Sequence, residues 1–147
     1  MESEPDNPVR CLIIPAENIN VVVPSAAVAE VVPLNISNTD NNDSTMGTME
    51  WRGVTVPVFS FEKLLTGQQP QYGRRSKACI FYPWKGADSE RFFAIVSMQD
   101  PRPRLLSDED IQLGEDNEAD SSYVQASFRY EDESAVIPDL LAISNAA

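Results

Sequence analysis

The side chains that could carry out chemistry in this sequence are a cysteine and a pair of carboxylates. Cys79 could act as a nucleophile, and Asp108 with Asp110 could form an acid and base pair for hydrolysis. The sequence contains no histidine, however, so the thiol has no His general base and the common catalytic triad is excluded. Cys11 and Cys79 each lie in an apolar run, which predicts buried, reduced thiols. We therefore predict that the protein is not an enzyme and has no catalytic residues.

The carboxylates between residues 107 and 120 are the strongest candidate ligands for a metal ion. They lack the Asp-x-Asp-x-Asp-Gly spacing and the final Glu of an EF-hand loop, so the segment is predicted to be a solvated excursion in which Ser107 caps a short turn through Asp110. The sequence contains no Gly-rich phosphate-binding loop either. It predicts neither a metal nor a cofactor.

The balance of charge excludes further classes of function. The chain has 23 acidic and 11 basic residues and a net charge of -12, which repels nucleic acid and anionic membranes. No apolar stretch approaches the length of a membrane span, and the N-terminus lacks the features of a secretory signal. We expect a cytoplasmic protein with no nucleic-acid partner and no membrane insertion. Its basic cluster, Arg74, Arg75 and Lys77, serves either solubility or the binding of a small ligand.

Short apolar runs separated by turn signals must position these residues. Strands are predicted at residues 11–15, 20–23, 30–33, 49–61 with a turn at Arg52-Gly53, 78–82, 91–98, 122–130 and 134–137, with an extended strip around Arg102 and Arg104. Pro57 cannot donate a ladder hydrogen bond, so its strand is expected at an edge or beside a bulge. Helical turns are predicted at 61–67, ended by Gly67, and at 139–143, opened by Pro138. We predict that residues 1–9 form an unpacked arm and that residues 35–48 form a solvated loop.

This arrangement of elements predicts an all-β fold. The strands do not alternate with helices, which favours a barrel or sandwich over a parallel sheet. Two consecutive halves look alike, because each holds a hairpin, an excursion, a second strand pair and a closing short helix. Two small barrels that share one interface core would account for the length of the chain.

Two runs of sequence carry a family resemblance. Residues 19–33 read INVVVPSAAVAEVVP, and residues 51–67 read WRGVTVPVFSFEKLLTG. An apolar hairpin, a Val-x-Glu-Val element and then Arg-Gly-x-x-x-Pro-Val resemble the pattern of the CheW-like domain family. The resemblance covers residues 11–67 and continues colinearly over 78–143. A Trp-Arg-Gly strand opening and an Ile-Pro-Asp-Leu ending are similar to the ChpC-type adaptors of type IV pilus chemosensory systems.

The resemblance implies a fold and a function. The fold would be a single domain, residues 10–147, built from two intertwined five-stranded, SH3-like β-barrels with short helical turns, after a disordered arm at 1–9. The function would be that of a non-enzymatic adaptor in signal transduction that couples a chemoreceptor to a CheA-type histidine kinase, with type IV pilus (twitching) motility as the output. The receptor's signalling tip would dock in the groove between the barrels, and the kinase regulatory domain would bind at a barrel end.

The resemblance also implies a partner-binding site. Glu30 and Arg52 stand where the family carries a Glu and an Arg that matter for coupling, and the full set of implied partner-binding residues is Val28, Glu30, Val31, Arg52, Gly53 and Pro57. If Glu30 and Arg52 lie on neighbouring strands they could pair, and such a pair fixes register and partner choice more than it adds affinity. Two alternatives in which these residues have only a structural role stay open. Arg52 could instead pair with Glu50 to close its turn, and one of the two valines could belong to the core.

The chain also departs from the family pattern. Where the family carries Val-Asp-Leu-Arg after the Pro-Val strand, this chain has Phe59-Ser60-Phe61-Glu62, which replaces an arginine by an acid. The alternative function is a small β-barrel module that binds a small ligand or nucleotide through Arg74 and Arg75 without coupling to a kinase.

Overall fold

The computed structural model describes residues 8–39, 44–68, 71–107, 110 and 122–146, and the backbone of 112–113. Its strands are β1 (Val9–Ala16), β2 (Ile19–Pro24), β3 (Val28–Pro33), β4 (Asn38–Thr39), β5 (Gly47–Trp51), β6 (Val54–Phe59), β7 (Lys77–Phe81), β8 (Phe93–Ser97), β9 (Arg102–Leu106), β10 (Gln112–Leu113), β11 (Val124–Tyr130) and β12 (Glu133–Pro138). The helices are α1 (Phe61–Thr66) and α2 (Leu140–Asn145), and a 3-10 turn spans Ser25–Ala27. Of the predicted arm, only Pro8 and Val9 lie within the described residues.

The strands form two six-stranded sheets. Sheet A has the order β10-β11-β12-β2-β1-β9, and sheet B has the order β3-β7-β8-β6-β5-β4. The β2–β12 and β6–β8 pairs are parallel, and the other pairs are antiparallel. The prediction of an all-β protein with two β units and short helices is confirmed. Among the described residues no ladder joins the first and last strands of either sheet, so five closed strands per barrel are not observed.

The two sheets do not correspond to two halves of the chain. Sheet A combines the N-terminal hairpin β1–β2 with strands from the last third of the chain, and sheet B is built from the strands between them. The link is a parallel ladder in which Asn20 and Val21 of β2 face Ala135 and Val136 of β12. The predicted outline of two similar halves is present in the order of the elements, since β1 to α1 and β7 to α2 each hold a hairpin, an excursion, a second strand pair and a closing short helix. The halves do not fold separately, because the hairpin of each half pairs with the last strand of the other, and this long-range pairing leaves no mark in the local pattern of residues.

Alternation of side chains across the sheets creates three buried clusters. The shared core lies between the sheets and holds Ile14, Val21, Val23, Phe59, Phe61, Cys79, Phe81, Phe93, Ile95, Val136, Leu140 and Ile143. The opposite face of sheet B carries a second cluster of Met46, Met49, Val56, Val58, Ala78, Ile80, Ala94 and Val96. A third cluster on sheet A holds Cys11, Ile13, Val22, Leu106, Phe128 and Ala135. Burial on both faces explains why the central strands read as continuous apolar runs rather than alternating ones.

Several local predictions need correction. The loop predicted at 35–48 contains strand β4 and the start of β5, which pair through Asn38 with Thr48 and Thr39 with Gly47. Pro57 lies on β6, which is an inner strand of sheet B rather than an edge strand. A proline is tolerated there because the ladder to β8 involves only Val58 and Phe59.

Helix α1 begins and ends at the predicted signals, whereas α2 begins one residue later than predicted. Ser60 caps α1 by accepting a hydrogen bond from the Lys63 amide at 3.3 Å, and Gly67 ends it with a left-handed φ of 79°. At the C-terminus, Pro138 closes β12, and Asp139 caps α2 by accepting from the Ala142 amide at 3.0 Å.

Candidate partner-binding site

A tight turn presents Arg52 at the end of the β5–β6 hairpin. Trp51 and Val54 face each other across the hairpin, and the two residues between them have positive φ values, 49° at Arg52 and 78° at Gly53. Two successive residues in this conformation match the right-handed twist of the strands. Glycine adopts it freely, whereas an arginine in the left-handed region stores backbone strain.

Glu30 lies on β3, which is an edge strand of sheet B. The pairing of β3 with β7 shifts register between Val28, opposite Phe81, and Glu30, opposite Ile80. Ala29 is therefore the extra residue of a β-bulge, and a bulge re-aims the side chains that follow it. The bulge therefore changes the direction of the Glu30 side chain. Because β3 is an edge strand, there is space for this side chain beside the sheet.

Glu30 and Arg52 form the predicted pair, although their elements are not neighbours. The Glu30 Oε1 atom accepts from Arg52 Nε at 3.1 Å, lies 3.1 Å from Arg52 Nη2, and accepts from Trp51 Nε1 at 2.9 Å. We call these three residues the edge cluster. Because β3 and the β5–β6 hairpin lie towards opposite ends of sheet B, the sheet must curl until its two ends meet.

The alternative local partner of Arg52 is engaged elsewhere. The Glu50 carboxylate accepts from the Thr55 hydroxyl at 2.7 Å, directly across the hairpin. Arg52 instead reaches the far edge of the sheet. The pair is thus a long-range contact that holds the sheet ends in register, rather than a local closure of the turn.

The edge cluster affects the acidity of Glu30. The hydrogen bond from Trp51 is the largest influence and lowers the pKa of Glu30 below its usual 4.5, and the charge of Arg52 acts in the same direction. The carboxylate therefore stays ionised at neutral pH. About two thirds of the Arg52 side chain, 70%, is exposed, so the guanidinium keeps donors free to face a partner.

Aromatic side chains continue the surface beside the edge cluster. The ring of Trp51 lies 4.9 Å from that of Phe92, and Phe92 lies 6.1 Å from Tyr82. The Arg52 guanidinium lies 5.4 Å from the centre of the Trp51 ring, within range of a cation–π contact. Tyr82 is half exposed. Charged and aromatic groups therefore lie side by side, which is typical of protein-binding surfaces.

Val28 and Val31 lie on the other face of β3. They pair with Phe81 and Cys79, which both point into the shared core, and side chains of paired residues share a face. Val28 packs against that core, whereas Val31 is 38% exposed. One of the two valines thus has a core role, and Val31 remains accessible.

The remaining sequence candidates differ in accessibility. Gly53 is exposed in its turn, and Pro57 is buried. Pro57 can support the strand but presents no free side chain to a partner. Trp51, Phe92 and Tyr82 are not among the partner-binding residues that the resemblance implied. Trp51 is a candidate anchor by residue type, because tryptophan is favoured at binding hot spots, and its position directly before Arg52-Gly53 is a second signal for it.

The acid that replaces the family's arginine has a structural role. Glu62 is buried at the start of α1, where its carboxylate accepts a hydrogen bond from the Glu17 amide. The Tyr72 hydroxyl lies 2.6 Å from Ser60 Oγ and donates to Glu62 at 3.5 Å, and burial raises the pKa of Tyr72. Glu62 therefore links the β1–β2 turn of sheet A to helix α1, which follows strand β6 of sheet B.

The residues considered for chemistry are placed unfavourably for it. Cys79 is fully buried, and burial raises the pKa of its thiol to about 12, so no reactive thiolate forms at neutral pH. Burial also raises the pKa of Cys11. Asp108 lies outside the described residues, and Asp110 accepts from the Ser107 amide at 2.9 Å in the predicted turn. Across the described ranges, no group of three potential metal ligands comes together, and no helix is long and apolar enough to span a membrane.

Comparisons with known proteins are consistent with this architecture. The sequence model of the CheW-like domain matches residues 10–147. The crystal structure of the scaffolding protein TtCheW from Thermoanaerobacter tengcongensis is similar, with a TM-score of 0.76 and 14% sequence identity over 97% of this chain and 92% of that chain. At this identity the likeness establishes the fold alone. No curated protein sequence matches the chain.

Proposed function

Because the chain belongs to the CheW-like domain family, we propose that it is a non-enzymatic chemosensory adaptor that couples a chemoreceptor's signalling tip to the regulatory domain of a CheA-type histidine kinase. Such an adaptor turns over no substrate. It works by holding two partners together and by shifting the conformational populations of the kinase through differential contacts.

The observation that carries this proposal is the edge cluster. An ion pair of this exposure adds little to folding stability, because solvent screens it and side-chain entropy opposes it. Its geometry nevertheless restrains Arg52, which lies on a strained turn, over a Trp51 ring and against a fixed carboxylate. A restrained charge beside exposed apolar groups supports selective recognition of a partner surface.

Finer parts of the proposal follow from the same surface. Val31 lies on the face of β3 that points towards sheet A, so a receptor tip in the groove between the sheets could reach it while Arg52 meets the kinase domain. The two curled sheets would then serve as the two barrel subdomains. We place the protein in the cytoplasm and propose type IV pilus motility as its output, on the resemblance of its Trp-Arg-Gly and Ile-Pro-Asp-Leu segments to ChpC-type adaptors.

The test is a charge reversal at Arg52. Arg52→Glu places a carboxylate against Glu30 and removes the exposed guanidinium. We expect affinity for the kinase regulatory domain or the receptor tip to fall by about tenfold or more, the equivalent of about 1.4 kcal/mol. Binding of the purified protein to each partner is measured by calorimetry, after circular dichroism confirms that the variant is folded.

Arg10→Glu is the matched control. Arg10 is exposed on β1 of sheet A, and its reversal changes the net charge by the same amount. If both variants bind both partners as tightly as the unmodified chain, the edge cluster is not a partner-binding site. If the unmodified chain binds neither a receptor tip nor a kinase regulatory domain, the adaptor function itself is refuted.

A further inference from the structure

A cavity lies where the two sheets meet, away from the edge cluster. It has a volume of about 770 Å³ and is lined by the β1–β2 turn, the segment that enters β7 and the segment between β8 and β9. Its charged lining residues are Arg74, Arg75, Lys77, Asp100, Arg102 and Glu133. We call it the basic pocket. Its volume is within the range of small-molecule sites, about 300–1,000 Å³.

The charges in the basic pocket are not balanced. Of its two carboxylates, Asp100 lies 3.8 Å from the Lys77 ammonium, and Glu133 accepts a hydrogen bond from the neutral side-chain amide of Asn20 at 2.7 Å. Arg74, Arg75 and Arg102 have no ion-pair partner within the part of the chain that the structure describes. Among the described residues, the lining therefore carries four positive charges, at Arg74, Arg75, Lys77 and Arg102, against two negative ones, in a protein whose net charge is -12.

Such an arrangement has an electrostatic cost. Like charges that converge without counter-charges repel each other, and the acidic remainder of the chain could have supplied acids at these positions. Arg74 and Arg75 are exposed and reach the cavity from a connector outside the strands, so packing does not require them there. The cluster is best explained if an anion from solution supplies the missing counter-charge.

We propose that the basic pocket binds a small, non-aromatic polyanion that carries two or more phosphate or carboxylate groups. Guanidinium groups donate paired hydrogen bonds that fit both kinds of anion. The rest of the lining offers amide and hydroxyl groups, at Asn18, Gln99 and Ser134, and no aromatic ring on which a nucleobase could stack. The pocket is thus a binding site separate from the edge cluster, and the proposal stands whether or not the protein is an adaptor.

Titration calorimetry with defined anions tests this proposal. Tripolyphosphate and citrate serve as the phosphate and carboxylate probes, and ATP and a hexaglutamate peptide serve as comparisons, all with the full chain at low ionic strength. We expect tripolyphosphate or citrate to bind and ATP to bind no more tightly than tripolyphosphate. The double variant R74Q/R75Q should lose about tenfold or more in affinity, because it removes two charged donors of hydrogen bonds to the anion.

The control is K85Q/R91Q, which removes two exposed cations outside the pocket and reaches the same net charge. Equal losses in the two double variants would show a general electrostatic effect and overturn the proposal. So would the absence of binding by both probes, or tighter binding of hexaglutamate than of either probe, which would indicate a peptide surface. Preference between tripolyphosphate and citrate then identifies the kind of anion.

Discussion

The edge cluster and the basic pocket use arginine in opposite ways. Arg52 has its charge met within the chain, by Glu30 at 3.1 Å, and its side chain lies against Trp51. Arg74 and Arg75 extend from a connector, without an ion-pair partner among the described residues. A compensated arginine is held in one geometry and suits recognition of a shaped surface, whereas uncompensated arginines attract a mobile counter-charge. The comparison predicts that the first site is coupled to the fold and the second is not.

The largest expected difference concerns folding stability. Trp51 packs against the second buried cluster and Phe92, so Trp51→Ala should lower the free energy of unfolding by about 2 kcal/mol, less than a fully buried tryptophan would cost. Arg75→Ala, at an exposed position of the pocket, should change it by no more than about 0.5 kcal/mol. Urea unfolding measures both. Equal effects would mean that the edge cluster is no more integrated with the core than the pocket is.

Substitution of two glycines compares the backbone next to Arg52 with the backbone next to Arg74. Gly53 follows Arg52 and has a φ of 78°, whereas Gly73 precedes Arg74 and its φ lies outside the left-handed region. A Cβ added at either position would meet open space. Gly53→Ala should therefore cost about 1 kcal/mol from conformation alone, and Gly73→Ala should be neutral or stabilise by up to about 0.5 kcal/mol. Denaturation midpoints compare the two variants. A harmless Gly53→Ala would mean that the turn under Arg52 is not strained.

The smallest expected effect is on the pKa of Glu30. Its pKa in the folded protein is lowered below 4.5, so its contribution to stability is present above pH 4.5 and is lost as the pH falls through the folded value. Trp51→Phe keeps a ring but removes the Nε1 donor, so the pKa of Glu30 in the folded protein should rise towards 4.5, and the stability lost on acidification should become smaller. Carboxyl NMR titration measures the shift. Trp84→Phe is the control, and an equal shift there would show that the Trp51 hydrogen bond does not set the acidity.

Local signals in the sequence predicted much of the fold. Helix α1 follows from the Ser60 cap and the Gly67 end, and the β5–β6 hairpin follows from Arg52-Gly53 between two apolar runs. These predictions succeed because each depends on residues a few positions apart. The resemblance to the CheW-like domain family supplied the candidate pair Glu30 and Arg52, and the structure brings the two side chains together.

What the sequence could not predict depends on distant contacts. The polar composition of residues 35–48 hid strand β4, which is held by pairing with β5 rather than by its own propensity. Nothing near Glu30 indicates that Trp51 would donate to it, because that contact requires the whole of sheet B to curl. The basic pocket was visible only as the cluster of Arg74, Arg75 and Lys77, since Arg102 joins it from the start of β9 in the other sheet.

The parallel pairing of β2 with β12 has a consequence for synthesis of the protein. A nascent chain that has emerged from the ribosome through residue 97 contains every strand of sheet B, but only the β1–β2 hairpin of sheet A. Until the last strands emerge, strand β2 of this hairpin lacks its pairing partner β12. Sheet A is therefore completed only after β12 has emerged, and a chain that is cut short before β12 leaves an apolar strand edge open to the wrong partner.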